Sequence, residues 1–224
     1  MNRFTITAVA AVALLGGTYL WQSSQSNTTS FATLGMAEAQ SADAVEPDKS
    51  LVEEMVLGNP DATVTVTEYA SYTCPHCKNF HADAFKKLKE NYIDTDKIKF
   101  VYREVYFDRF GLWAGMVARC GGAEKYFPIQ GMIYEQQAEW TKGENPGAIA
   151  DNLVTIGKTA GLTADAIDAC LQDGDMAQAM IAVYQENAEA DNIRSTPSFI
   201  INGEPYSNMP YDEFAALLDE KLAE

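Results

Sequence analysis

Glu68-Tyr69-Ala70-Ser71-Tyr72-Thr73-Cys74-Pro75-His76-Cys77 decides the reading of this chain, because it sets a Cys-x-x-Cys between an alternating strand and an amphipathic helix. Upstream, Thr63 to Ala70 alternates as a strand does. Downstream, Phe80, Ala84, Phe85, Leu88 and Tyr92 recur at helical spacing. Cys74 then sits at a helix start, where unpaired N–H groups and the positive end of the helix dipole favour an anion. Its thiol is expected to ionise well below the ~8.5 of free cysteine. Cys77, nearly one turn on, has its sulfur within bonding reach but directed into the protein. The spacing therefore predicts that Cys74 attacks and Cys77 resolves. Pro75 suits the first helical position, and His76, if protonated, adds positive charge beside the thiolate. Both favour the dithiol form and make the disulfide a stronger oxidant. The competing reading is half a zinc site, which needs two more ligands. Cys120 and Cys170 stand alone, and the two histidines are His76 and His81, so neither a metal nor a cofactor is expected. His81 reads as a helix-surface or packing residue.

Residues 68–77 resemble the active-site segment of the DsbA family of bacterial thiol:disulfide oxidoreductases, and the order of elements agrees from about residue 51 to the C-terminus. The resemblance implies an α/β, thioredoxin-like fold with an inserted α-helical domain. It also implies a catalytic Cys74, a resolving Cys77 and an oxidising role in the cell envelope, the periplasm. Substrates would be unfolded or folding exported proteins with cysteines, the protein would be a monomer, and a membrane quinone-linked partner would reoxidise it. Thr196-Pro197 carries the second part of the resemblance: Pro197 is expected to be cis and to face the Cys-x-x-Cys, leaving the backbone of Thr196 free to pair with an extended substrate. Thr196 departs from the hydrophobic residue found there in the best-known oxidases and is similar to what reductive relatives show. A thiol reductase or disulfide isomerase therefore stays open. So does a non-catalytic holdase or binding module with a structural Cys74–Cys77 bridge.

Alternation along the strand puts Val64, Val66, Glu68 and Ala70 on one face. A carboxylate has landed among apolar neighbours, and near Cys77 it would exchange the proton that a buried thiol gains or loses in each cycle. The alternatives are a solvated edge or an ion pair with Lys99 or Arg103. Tyr72 is expected at the rim of the site as a substrate contact. With Cys74–Cys77 as one pair, an oxidising compartment leaves Cys120–Cys170 by elimination as a structural disulfide; two buried, inert cysteines are the alternative.

Residues 1–22 hold Arg3 followed by an apolar run from Ala8 to Leu20, which reads as an export signal or an N-terminal anchor. Residues 23–50, rich in Ser, Thr, Ala and Gln, read as a flexible polar linker, too short and polar for a dimerisation domain. The remainder, 51–224, suits one domain. A net charge of −16 argues against nucleic acid and anionic lipid as partners and speaks for solubility.

Within that domain the pattern predicts a strand at Leu51–Leu57, a turn at Gly58–Asp61, the strand and helix around the cysteines, and a strand at Ile98–Arg103. A helical insertion over about 108–192 follows, with segments at Leu112–Cys120, Glu124–Glu139, Gly147–Ala160, Ala164–Leu171 and Met176–Asp191, and Thr163 as an N-cap. Ser198–Ile201, Asn202-Gly203 and Glu204–Tyr206 read as a hairpin with a type I′ turn, and Tyr211–Leu222 as a closing helix.

Overall fold

The computed structural model describes residues 46–224. The export signal or anchor expected over 1–22, and the linker as far as residue 45, lie outside the described residues. The last linker residues belong to the domain. Asp48 caps a short 3-10 helix, Lys49–Leu51, by accepting from the backbone N–H of Ser50, and Lys49 forms an ion pair with Glu186. The first strand consequently starts later than expected, as β1 (Met55–Gly58).

Five strands form one sheet in the order β1-β3-β2-β4-β5, where β2 is Val64–Ala70, β3 Ile98–Glu104, β4 Ser198–Ile201 and β5 Glu204–Ser207. β2 lies at the centre, parallel to β3 and antiparallel to β4, so helices cover it on both faces. This is why Tyr69, on the face opposite Glu68, is buried as completely as Val64 and Val66, and Thr67 nearly so. Gly58 turns the chain out of β1 at φ +78°, where a Cβ would lie 2.3 Å from the carbonyl oxygen of Ile98. Asn202 and Gly203 have φ of 48° and 85°, the two positive values of a type I′ turn. β5 is an edge strand containing Pro205, and Glu204 at its start pairs with Lys221 at 3.2 Å.

The helix after the cysteines is not continuous. α1 (Pro75–Ala82) breaks at Asp83, α2 (Ala84–Leu88) follows, and a π-helical turn spans Lys89–Ile93. The break re-phases the apolar stripe so that Phe80, Ala84, Leu88 and Tyr92 all reach the core. The insertion runs through α3 (Arg109–Arg119), α4 (Gly122–Glu135), α5 (Gln137–Trp140), α6 (Pro146–Thr159), α7 (Ala164–Gln172) and α8 (Gly174–Ala190). Thr163 caps α7 as expected, accepting from the N–H of Ala166. The single helix expected over 124–139 is two, because the chain bends at Gln136 and turns Gln137 inward. α9 (Tyr211–Ala223) closes the fold.

A disulfide and a buried ion pair are among the links that bind the insertion. Cys120, at the end of α3, is disulfide-bonded to Cys170 in α7, with Cα atoms 5.8 Å apart. Arg119 of α3 donates to both carboxylate oxygens of Glu104 on β3, at 2.8 and 2.7 Å, and the Tyr126 hydroxyl of α4 adds a third bond at 2.7 Å. The pair is buried, and its polar atoms are matched, which is the condition under which a buried ion pair is tolerated.

Candidate active site

Cys74 is the N-cap of α1, in extended backbone with Pro75 next in line, so the sulfur faces the free N–H groups of the first turn. Cys74 is half-buried and Cys77 fully buried, and both are thiols. The Cys77 thiol donates to Cys74 and is the largest influence holding it down to about 5. Thr196 and the backbone N–H groups of Cys77 and His76 add to this, against the opposing push of partial burial. Cys77 moves the other way, driven up first by desolvation and then by its bond to Cys74 and by the charge of nearby Glu68. One sulfur is built to be a thiolate and its neighbour a thiol.

The backbone N–H of His76 is among the groups that lower Cys74, and the His76 side chain is solvent-exposed. Across from the cysteines the Thr196–Pro197 peptide is cis, and the Thr196 carbonyl lies 3.4 Å from the Cys74 sulfur. The Thr196 Oγ1 is buried and makes no hydrogen bond of good geometry, yet it is near enough to both sulfurs to favour their thiolates. We read it as a weak donor that strengthens when a thiolate forms.

Tyr72 is not at the rim. Its ring is wholly buried among Tyr102 and Tyr134, and its hydroxyl donates to that of Tyr126 at 3.0 Å. Past the end of β2 the chain turns, and α4 of the insertion roofs the ring over. The exposed aromatic near the cysteines is Phe107, 60% accessible, adjacent in sequence to Asp108, which accepts from the Thr73 hydroxyl at 2.7 Å. Glu68 pairs with neither Lys99 nor Arg103. It is fully buried, and both its oxygens lie 3.0–3.1 Å from Nε2 of His81, which is itself buried and stacked on Tyr134 at 4.2 Å. His81 is thus a packing residue, one of the two positions expected for it, and it forms part of the site's floor. Arg103 instead binds Glu54, Asp191 and the Tyr69 hydroxyl.

Two residues that hold the site escaped the sequence reading. Gln137 donates to the carbonyls of Tyr72 and Cys74, at 2.8 and 2.9 Å, so that the loop before α1 is fixed from the insertion. Nothing in the neighbourhood of Gln137 signals this. Asp108 caps α3 through the N–H groups of Phe110 and Gly111 while holding Thr73, and an Asp directly before a helical run was a usable sign.

A family model described as Thioredoxin matches residues 50–220, and the crystal structure of Wolbachia pipientis alpha-DsbA1 superposes with a TM-score of 0.67. The chain belongs to the thioredoxin family, in its DsbA-like group. The Wolbachia match has 27% identity and covers 78% of this chain and 96% of that one. Disulfide bond formation protein D of Bacillus subtilis is 27% identical over 195 residues, with 82% of this DsbA-like chain and 83% of the relative covered. A Rickettsia bellii protein named "Putative protein-disulfide oxidoreductase" is 34% identical over 172 residues, covering 76% of this chain and 65% of its own length. The chain spans less than two thirds of the length of the Rickettsia relatives it matches.

Proposed function

We propose that this DsbA-like chain is a protein-disulfide oxidoreductase that donates its Cys74–Cys77 disulfide to cysteine-containing exported proteins. The observation that carries the reading is the opposed behaviour of the two sulfurs, Cys74 down to about 5 and Cys77 pushed up. A client thiolate attacks the Cys74 sulfur of the disulfide, the Cys74–Cys77 bond breaks, and Cys77 leaves as a thiolate that takes up a proton. The client's second thiolate then attacks the client sulfur of the mixed disulfide and expels Cys74 as a thiolate. That leaving group is stable at neutral pH, which drives the transfer toward the client.

In this reading the Thr196 backbone beside the cis peptide pairs with the client as an added strand, so recognition tolerates many sequences. Glu68 exchanges the Cys77 proton. Residues 1–22 deliver or anchor the protein in the envelope, residues 23–45 tether it, and a quinone-linked membrane protein restores the disulfide of a monomer. Thr196 favours a second reading, a reductase, because its hydroxyl sits by both sulfurs where the best-known oxidases have an apolar side chain. The two are separated by the equilibrium reduction potential of Cys74–Cys77 in glutathione buffers, with Cys120 and Cys170 replaced by Ala. A value above roughly −180 mV is expected, whereas one near about −270 mV would replace the oxidase reading with the reductase.

A further inference from the structure

Each cycle moves one proton onto Cys77 and one proton off it, yet Cys77 is fully buried and the Cys74 face is covered whenever a mixed disulfide is present. Glu68 cannot carry that proton to water alone, because its side chain is 0% exposed. Its hydrogen-bond partner among the described residues is His81, bound through Nε2. The other ring nitrogen, Nδ1, has no hydrogen-bonding partner among the described residues, and the ring forms part of the wall of a cavity of about 290 Å³ between α1, α2 and α4. That cavity lies down the helix from Cys74, away from the client face, and has room for several waters. Gln130, whose buried Nε2 has no partner, lines it, as does Gly131, where an added Cβ would meet nothing within 4 Å.

We infer that His81 and this cavity form a back entrance for the proton of Cys77, connecting Glu68 to solvent while the front of the site is occupied. The inference rests on the reading of Cys74–Cys77 as a catalytic disulfide. When the client breaks the Cys74–Cys77 bond, cavity water protonates Nδ1 of the Nε2–H imidazole, and the Nε2 proton passes through Glu68 to the Cys77 thiolate. The imidazole is left with its proton on Nδ1. When the disulfide is remade, the Cys77 proton returns through Glu68 to Nε2, and Nδ1 gives its proton back to the cavity. The two halves of the cycle use opposite tautomers, so the ring resets without turning over. His81 acts through Glu68 and is a positioning residue, not a group that touches the reacting sulfurs. The charged and titratable groups facing it are Glu68 from β2, Tyr102 from β3, Tyr134 and Glu135 from α4, Lys78 from α1 and Lys86 from α2.

The test is stopped-flow measurement of both half-reactions, from pH 5 to 9 and in H₂O and D₂O, on the wild-type full chain, His81→Gln and Gly131→Leu. Gln retains a hydrogen bond to Glu68 but cannot relay, and Leu at 131, an exposed position on the cavity's lining, is chosen to put bulk at the cavity mouth while improving a helical position. Both variants are expected to slow the Cys77 steps at least about a hundredfold, the lower end of the usual range for acid–base catalysis, and to enlarge the solvent isotope effect. Added imidazole is expected to speed His81→Gln and to leave Gly131→Leu slow. Wild-type rates in Gly131→Leu would overturn the inference, even if His81→Gln is slow or fails to fold, and so would a wild-type pH profile in His81→Gln. The rates are read in both directions of exchange, so a reductive potential would remove the oxidase reading and leave this test intact.

Discussion

Replacing Cys77 with Ala removes the largest single influence on Cys74, the hydrogen bond from the Cys77 thiol. A hydrogen bond to a charged group contributes about 1.5–3 kcal/mol, and because Cys74 is half-buried the lower part of that range applies. At 1.36 kcal/mol per pH unit, losing it moves the Cys74 thiol from about 5 up to about 6–7. At pH 6 the thiolate fraction then falls from roughly nine tenths to between about one half and one tenth, so iodoacetamide reacts about two- to tenfold more slowly. The assay is the pH dependence of that rate, checked by thiolate absorbance, with both Cys120 and Cys170 left in their disulfide. Cys77→Ser is the control, since its hydroxyl still donates and should retain most of the effect. An unmoved Cys74 in Cys77→Ala, or equal shifts in the Ala and Ser variants, would refute the reasoning and leave Thr196 and the helix N-terminus as the causes.

Stability should also depend on pH in the reduced form. Cys74 ionises at about 5 when folded and at about 8.5 when unfolded, so its contribution is complete above the unfolded value and lost as pH falls through about 5. Denaturant titrations of the dithiol and disulfide forms should show the dithiol gaining on the disulfide as pH rises across that window; a constant gap would contradict it. The Cys120→Ala/Cys170→Ala variant opens a bridge between residues 50 apart and is expected to lose up to about 4 kcal/mol by the loop-entropy relation, read as a lower denaturation midpoint. Arg119→Met leaves Glu104 buried without its ion-pair partner and should cost about 3–5 kcal/mol, whereas a loss under about 1 kcal/mol would mean that Tyr126 alone satisfies the carboxylate.

Local chemistry was legible in the sequence wherever neighbours along the chain decide it. The alternation of Val64 to Ala70, the cap formed by Thr163 and the Asn202-Gly203 turn each depend on residues a few positions apart, and each stands where expected. The partners of the site residues were not legible, because they come from distant segments. Gln137 reaches back 63 residues to Cys74, and Tyr72 is buried only because α4 arrives over it. The pairing of His81 with Glu68 was not legible, because helical spacing puts His81 one turn past Cys77 but does not say that an acid on the central strand faces that turn. The break at Asp83 left no Gly or Pro to announce it.

The edge of the sheet at β5 bears on how such a protein survives its own surroundings. An open strand edge is a template for any extended chain, and a protein proposed to meet unfolded clients would be exposed to continual strand addition and aggregation there. Pro205 removes one donor from that edge, and the Glu204–Lys221 pair places charge beside it, so the strand offers an interrupted ladder. Under the proposed function, extended chains are thereby left to engage the backbone at Thr196, where a bound client would be released by thiol–disulfide exchange.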